Sequence, residues 1–146
     1  MKGLLTIDWR NMLLTDHFSL GEFVVSGRFA SLANQIVPKD FQVDNLKILC
    51  EWILEPLRIK YGPMTITSGL RSPELSDALG AVAGGQHERG MAADALCRTV
   101  SSMHLVYEYV VENLQWPGEV IFYEKLGHVH FGLPEVGVVP DHFIKT

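Results

Sequence analysis

The chain has 146 residues, 47% of them hydrophobic and 20% charged, with a formal net charge of −5 at pH 7. That composition excludes a disordered or collagen-like polymer, and the scatter of 12 Lys and Arg among 17 Asp and Glu argues against nucleic acid as a partner. A chain of this length buries roughly two thirds of its unfolded surface without cross-links, so residues 1–146 are expected to form one domain, with 1–16 as an N-terminal arm and 134–146 as a C-terminal tail.

Met1-Lys2-Gly3-Leu4-Leu5 begins like a secretory leader, but Asp8, Trp9 and Arg10 cut the apolar run short of the about seven residues such a leader needs. No stretch approaches the ~18 apolar residues of a membrane span. The expectation is a protein that is cytoplasmic when made and has no membrane association. Cys50 and Cys97 stand in apolar contexts and read as small buried hydrophobes rather than a disulfide.

In chain order, Ser19 followed by Glu22 forms a capping box, with Phe18 before it as a staple, and predicts a short helix. After Pro38, the residues Phe41, Leu46, Leu49, Cys50, Ile53, Leu54 and Leu57 recur at helical steps, which predicts a long amphipathic helix ending near Tyr61-Gly62-Pro63. Met64–Ser68 is β-branched and alternating, a strand that stops at Gly69 and turns to present Arg71. Ser72-Pro73 starts a second short helix, with Ser72 as cap and Pro73 in its first turn.

Ala81–Gly85 reads as a loop, Met91–Leu96 as a buried strand, and Ser101–Leu114 as a helix with Leu105, Val106, Tyr109 and Val110 inward. Val120–Tyr123 and His128–Phe131 flank Glu124-Lys125-Leu126-Gly127 as a hairpin, and the tail from Pro134 has only a weak pattern. The predicted fold class is α+β, with helices packed on one antiparallel sheet.

The chemistry concentrates in Gln86-His87-Glu88-Arg89-Gly90-Met91-Ala92-Ala93-Asp94 and in His128-Val129-His130. Catalytic zinc takes three N or O ligands and leaves one position open, and an imidazole and a carboxylate from one segment with an imidazole from a distant strand would supply them. A straight strand would hold His87 and Asp94 more than ~20 Å apart, so the segment has to bend at Gly90, where glycine permits the path. His128 and His130 share one face of their strand, and the residues alone do not choose between them as ligand.

His87-x-x-Gly90-x-Ala92-x-Asp94 resembles the zinc motif of the M15 family of D-Ala-D-Ala carboxypeptidases and related peptidoglycan peptidases. Ser68-Gly69-Leu70-Arg71-Ser72-Pro73 resembles the family's Ser-Gly-Tyr-Arg-Ser-Pro segment, and His128-Val129-His130-Phe131 its Trp-Val-His-Val element. The three motifs stand in the family's order, within a resemblance that runs from about His17 to about Leu133 and points to a short phage-type member.

The resemblance implies a Hedgehog/DD-peptidase-like fold and Zn2+ held by His87, Asp94 and His130. It implies that Arg71 grips a carboxylate of the peptidoglycan stem peptide, with Ser68 and Gln86 as further hydrogen-bonding groups. His128, where the family has Trp, would be an oxyanion stabiliser, an alternative ligand or a structural residue.

The family's acidic residue three positions before the last His is here Gly127, or Lys125 if His128 is the ligand. Glu124 is therefore the expected general base. Gly85 replaces the serine usual two positions before the first His.

The implied activity is hydrolysis of a stem-peptide bond, as a D,D-carboxypeptidase or an endopeptidase, in phage lysis or wall remodelling, with release by a holin or presence in a virion. The missing acid at Gly127 keeps open an inactive structural or binding domain of a phage particle. A purely structural zinc is weaker, because closed sites take four ligands and favour Cys.

Overall fold

The computed structural model describes residues 8–146, so the Met1–Leu5 run lies outside the described residues. Five strands form one sheet in the order β3-β4-β6-β5-β7, comprising Met64–Ser68 (β3), Ala92–Cys97 (β4), Val120–Tyr123 (β5), His128–Gly132 (β6) and His142–Lys145 (β7). Neighbours are antiparallel except β5 and β7, which run parallel. The fold is α+β as expected, but the sheet is mixed, because the weakly patterned tail adds β7 at one edge.

Helices cover one face of the sheet. The long predicted helix is α2 (Asp40–Leu49) continuing through a π-helical stretch (Cys50–Leu54) into α3 (Glu55–Tyr61). Pro56 has no N–H to offer the turn before it, and the backbone widens there so that Glu55 N–H reaches the Cys50 carbonyl. Leu46, Leu49, Cys50, Ile53, Leu54 and Leu57 are fully buried as their spacing demanded, whereas Phe41, in the first turn of α2, is half exposed.

Two short helices come before and after this unit, α1 (Ala30–Asn34) and α4 (Pro73–Ala78). The second is capped by Ser72 Oγ, which accepts from Leu75 N–H at 3.1 Å. The last helix is α5 (Met103–Glu108), prolonged by a π-helical Tyr109–Asn113; Val106 and Val110 are buried, but Leu105 is half exposed against expectation.

Near the N-terminus, Leu13–Thr15 (β1) pairs with Phe18–Ser19 (β2), which gives the described part of the arm a place, and Trp9 joins the core. The capping box forms: Ser19 N–H donates to Glu22 at 2.6 Å, and Phe18 packs on Phe23 with ring centroids 6.0 Å apart. The helix it starts is one 3-10 turn, Leu20–Phe23.

Strand alternation then sorts side chains. Ala93, Ala95, Val120, Phe122, Val129 and Phe131 are buried in the hydrophobic core. Their neighbours one residue along, Asp94, Ile121, Tyr123, His128 and His130, share the opposite face.

Candidate metal centre

Asp94 and His130 are direct cross-strand partners on β4 and β6, which brings their side chains together on the uncovered face. His130 Nδ1 lies 2.9 Å from Asp94 Oδ1. His87 arrives from outside the sheet, on a 3-10 turn over Gln86–Arg89 that ends at Gly90. Gly90 has φ +72°, and a Cβ there would lie 2.5 Å from the Gln42 carbonyl oxygen, so both the bend and the tight path need glycine.

The turn is clamped by Gln42 Nε2 to the Glu88 carbonyl at 2.8 Å and by Asn45 Nδ2 to the Arg89 carbonyl at 2.9 Å. His87 Nδ1 donates to the Gly69 carbonyl at 2.8 Å, which assigns the tautomer and leaves Nε2 facing Asp94 Oδ1 at 3.7 Å. One ligand atom each from His87, Asp94 and His130 lies within 4.8 Å of the others.

The electrostatics fit a cation. Burial pushes the His87 imidazole down to about 4, outweighing nearby Asp94, so the ring is the neutral ligand form at pH 7. Burial works against the Asp94 carboxylate, but the hydrogen bond from His130 and the adjacent imidazoles hold it below the usual range. Burial also disfavours a charged His130, yet its contacts with Asp94 and Glu119 raise it to about 9.

Glu119 Oε1 stands 2.9 Å from His130 Nε2 but off the N–H direction, so Nε2 is buried with no hydrogen-bond partner. A buried ring nitrogen without a partner beside two carboxylates and a second imidazole is what an ion would complete.

Above these groups opens a cleft of about 450 Å³, lined among others by Arg71, Gln86, His87, Glu119, Tyr123 and His130. Arg71 N–H donates to the His87 carbonyl at 3.1 Å. Its guanidinium donates to Ser68 Oγ through Nε at 3.2 Å and Nη2 at 3.0 Å, with Nη2 3.8 Å from Asp94. Ser68 therefore orients Arg71 and does not line the cleft.

His128 lies on the face of His130 but outside the ligand cluster, with Nε2 3.9 Å from Asp94 Oδ2 and its ring edge-on to Tyr123 at 5.2 Å. Gln86 lines the cleft, but its amide nitrogen is spent on the Leu133 carbonyl and on Glu135, both at 2.9 Å.

Glu124 is not at the cluster. It is exposed on the turn after β5, where its backbone N–H bonds the Lys145 carbonyl, and it does not line the cleft. The carboxylate that joins Asp94 at the site is Glu119, five residues earlier, which the sequence reading missed by starting the strand at Val120. Hairpin parity could have found it: Ile121 opposes His130, and Glu119, two residues back, shares that face and lies diagonal to the imidazole. Opposite it stands Gly132, where a Cβ would lie 3.3 Å from Glu119 Cβ and 2.1 Å from Gln86 Oε1.

The sequence model of peptidase M15 matches residues 17–132. The chain belongs to the peptidase M15 family. None of the curated proteins matches the chain. The three M15-like segments quoted from the sequence all fall inside the matched stretch, and they supply His87, Asp94, His130 and Arg71. Among the described residues, no helix is long and apolar enough to cross a membrane.

Proposed function

We propose that this M15 family member is a zinc-dependent peptidase that hydrolyses a peptide bond in the stem peptide of peptidoglycan, with His87, Asp94 and His130 as the metal ligands and Glu119 as general base. One observation carries the reading: the orphaned His130 Nε2 and the Glu119 carboxylate, 2.9 Å apart, meet at the floor of an open cleft. Three ligands of N and O type with no cysteine suit a catalytic zinc rather than a structural one.

Zinc bound there would supply Lewis acidity toward a carbonyl oxygen and lower the pKa of water. Glu119 takes the proton of the attacking water and returns it to the leaving amine, which its place beside the cluster permits. Arg71, held by Ser68, offers its remaining donors to a substrate carboxylate. Gly69 keeps His87 in the ligating tautomer. His128 stands next to Asp94 but outside the cleft lining, with burial disfavouring its charged form, and its part is to support the ligand carboxylate.

The inert-domain alternative rested on the absence of an acid at Gly127, and Glu119 answers that objection from another position. Peptidoglycan as substrate and a phage context follow from the family resemblance.

The test is zinc content beside release of amino acid or peptide from defined muropeptides, with and without chelator. About one zinc per chain with chelator-sensitive cleavage is the expected result. One zinc with no cleavage of any stem peptide would favour the binding domain, and no metal would sink the ligand assignment.

A further inference from the structure

The family match ends at residue 132, yet the cleft does not. Its far wall is built by residues 133–141, with Val138, Val139 and Pro140 lining it and Val82 contributing from the loop before the metal segment. Val138 is 59% exposed, Val139 88% and Val82 86%. Single exposed aliphatic side chains are ordinary on a protein surface; three lining one cleft, beside a candidate metal centre, mark a place where a ligand covers them.

The segment is a strap fixed at both ends. At its start, Leu133 N–H donates to the Met91 carbonyl at 2.8 Å and the Leu133 carbonyl accepts from Gln86 Nε2 at 2.9 Å. Glu135 then binds Gln86, which precedes His87, and pairs with Arg89, two residues after it. At its end, the Asp141 carbonyl accepts from Val120 N–H at 2.9 Å, and β7 pairs in parallel with β5. Between the anchors the chain reverses at Gly137, whose φ of +78° suits glycine. A wall held in this way is ordered before ligand arrives, so binding costs little conformational entropy.

Arg89 neutralises Glu135, so that end of the wall carries no bare charge. Glu88 and Asp141 also line the cleft and oppose an anionic occupant near the valines. We infer that the strap 133–141 is the specificity wall of the cleft and that Val138 and Val139 seat an uncharged aliphatic side chain of the substrate, on a residue flanking the cleaved bond. This inference rests on the peptidase reading above and adds the substrate preference at that site.

The experiment compares the full chain with a Val138→Ser, Val139→Ser double variant. Both positions are exposed, so the fold tolerates the change. The substrates are stem peptides carrying alanine, leucine or aspartate at one residue flanking the cleaved bond. The expected result is a KM for the aliphatic peptides raised about tenfold in the variant, with kcat and bound zinc unchanged, and wild-type discrimination against aspartate.

In parallel, the aliphatic peptide is titrated into metal-free protein while the Val138 and Val139 methyl resonances are followed by NMR, and both should shift. Unchanged KM, or methyls that do not move, overturns the inference. Loss of kcat or zinc at constant KM overturns it as well, because the valines would then only shape the metal centre. A wild-type protein that cleaves no stem peptide sinks the peptidase reading, while the methyl titration still decides the wall.

Discussion

The two faces of the five-stranded sheet are made by the same strands one residue out of step, yet they answer to different physics. On the helix-covered face Ala93, Val129 and Phe131 are sealed from water and contribute through packing. On the open face Asp94 and His130, their immediate neighbours, are buried polar groups that satisfy each other only in part and belong to a cluster that could hold a metal ion. Function and stability are thus separable along a single strand, because the pleat sends alternate side chains to opposite sides. Substitutions one residue apart should therefore fail in different assays.

The largest separation is expected at Glu119. Glu119→Gln should lower kcat by roughly 10²–10⁴ while zinc content and thermal midpoint stay near wild type, measured by metal analysis, muropeptide turnover and calorimetry. A variant that keeps full turnover would remove Glu119 from the mechanism.

Phe131→Ala, one residue from His130 but on the packed face, should cost about 3–5 kcal/mol of stability in denaturant unfolding. Its residual folded fraction should retain the zinc site. A loss of metal affinity with little change in stability would contradict the division of the two faces.

A smaller effect tests stability away from both faces. His17 N–H and Nδ1 bind the Glu55 carboxylate at 2.9 and 2.7 Å. Burial opposes that charge, but the His17 bonds and a contribution from Thr15 outweigh it and hold the carboxyl below its ordinary 4.5. A folded value below the unfolded one means that the stabilisation is complete above about pH 4.5 and is lost as pH falls through the folded value. Urea midpoints of wild type and Glu55→Gln should therefore differ at pH 7 and converge toward pH 3, and a constant gap would show that the carboxylate's charge is not the cause.

The smallest effect is expected at Glu124, where Ala should change stability by less than about 0.5 kcal/mol and leave turnover within about twofold. Loss of activity there would return the base to the turn.

Much of this was legible in the residues themselves. Local rules act within a few residues, and they held: Ser72 caps its helix, Phe18 staples the turn after Ser19, and Gly90 makes the bend between His87 and Asp94. The motif residues His87, Asp94 and His130 were named from spacing and resemblance, and the fold brings them into one cluster. Where contacts cross between distant segments, the sequence was silent. Gln86 was named as a hydrogen-bonding group toward substrate; Leu133 and Glu135 occupy its amide nitrogen, so that only its Oε1 is without a partner. Phe41 and Leu105 fit the helical period, but no neighbouring element covers them fully.

By itself, the sequence determined the α+β class, the hairpin of β5 and β6, and the alternation that puts His130 on one face and Phe131 on the other, because these depend on backbone periodicity and local turn chemistry. Hairpin parity also placed Glu119 on the face of His130, whereas only the tertiary structure decided that the tail returns as a parallel edge strand and that residues 133–141 wall the cleft. The reason is physical: strand register and the docking of an exposed tail are set by the summed contacts of segments far apart in the chain, and no local pattern encodes that sum.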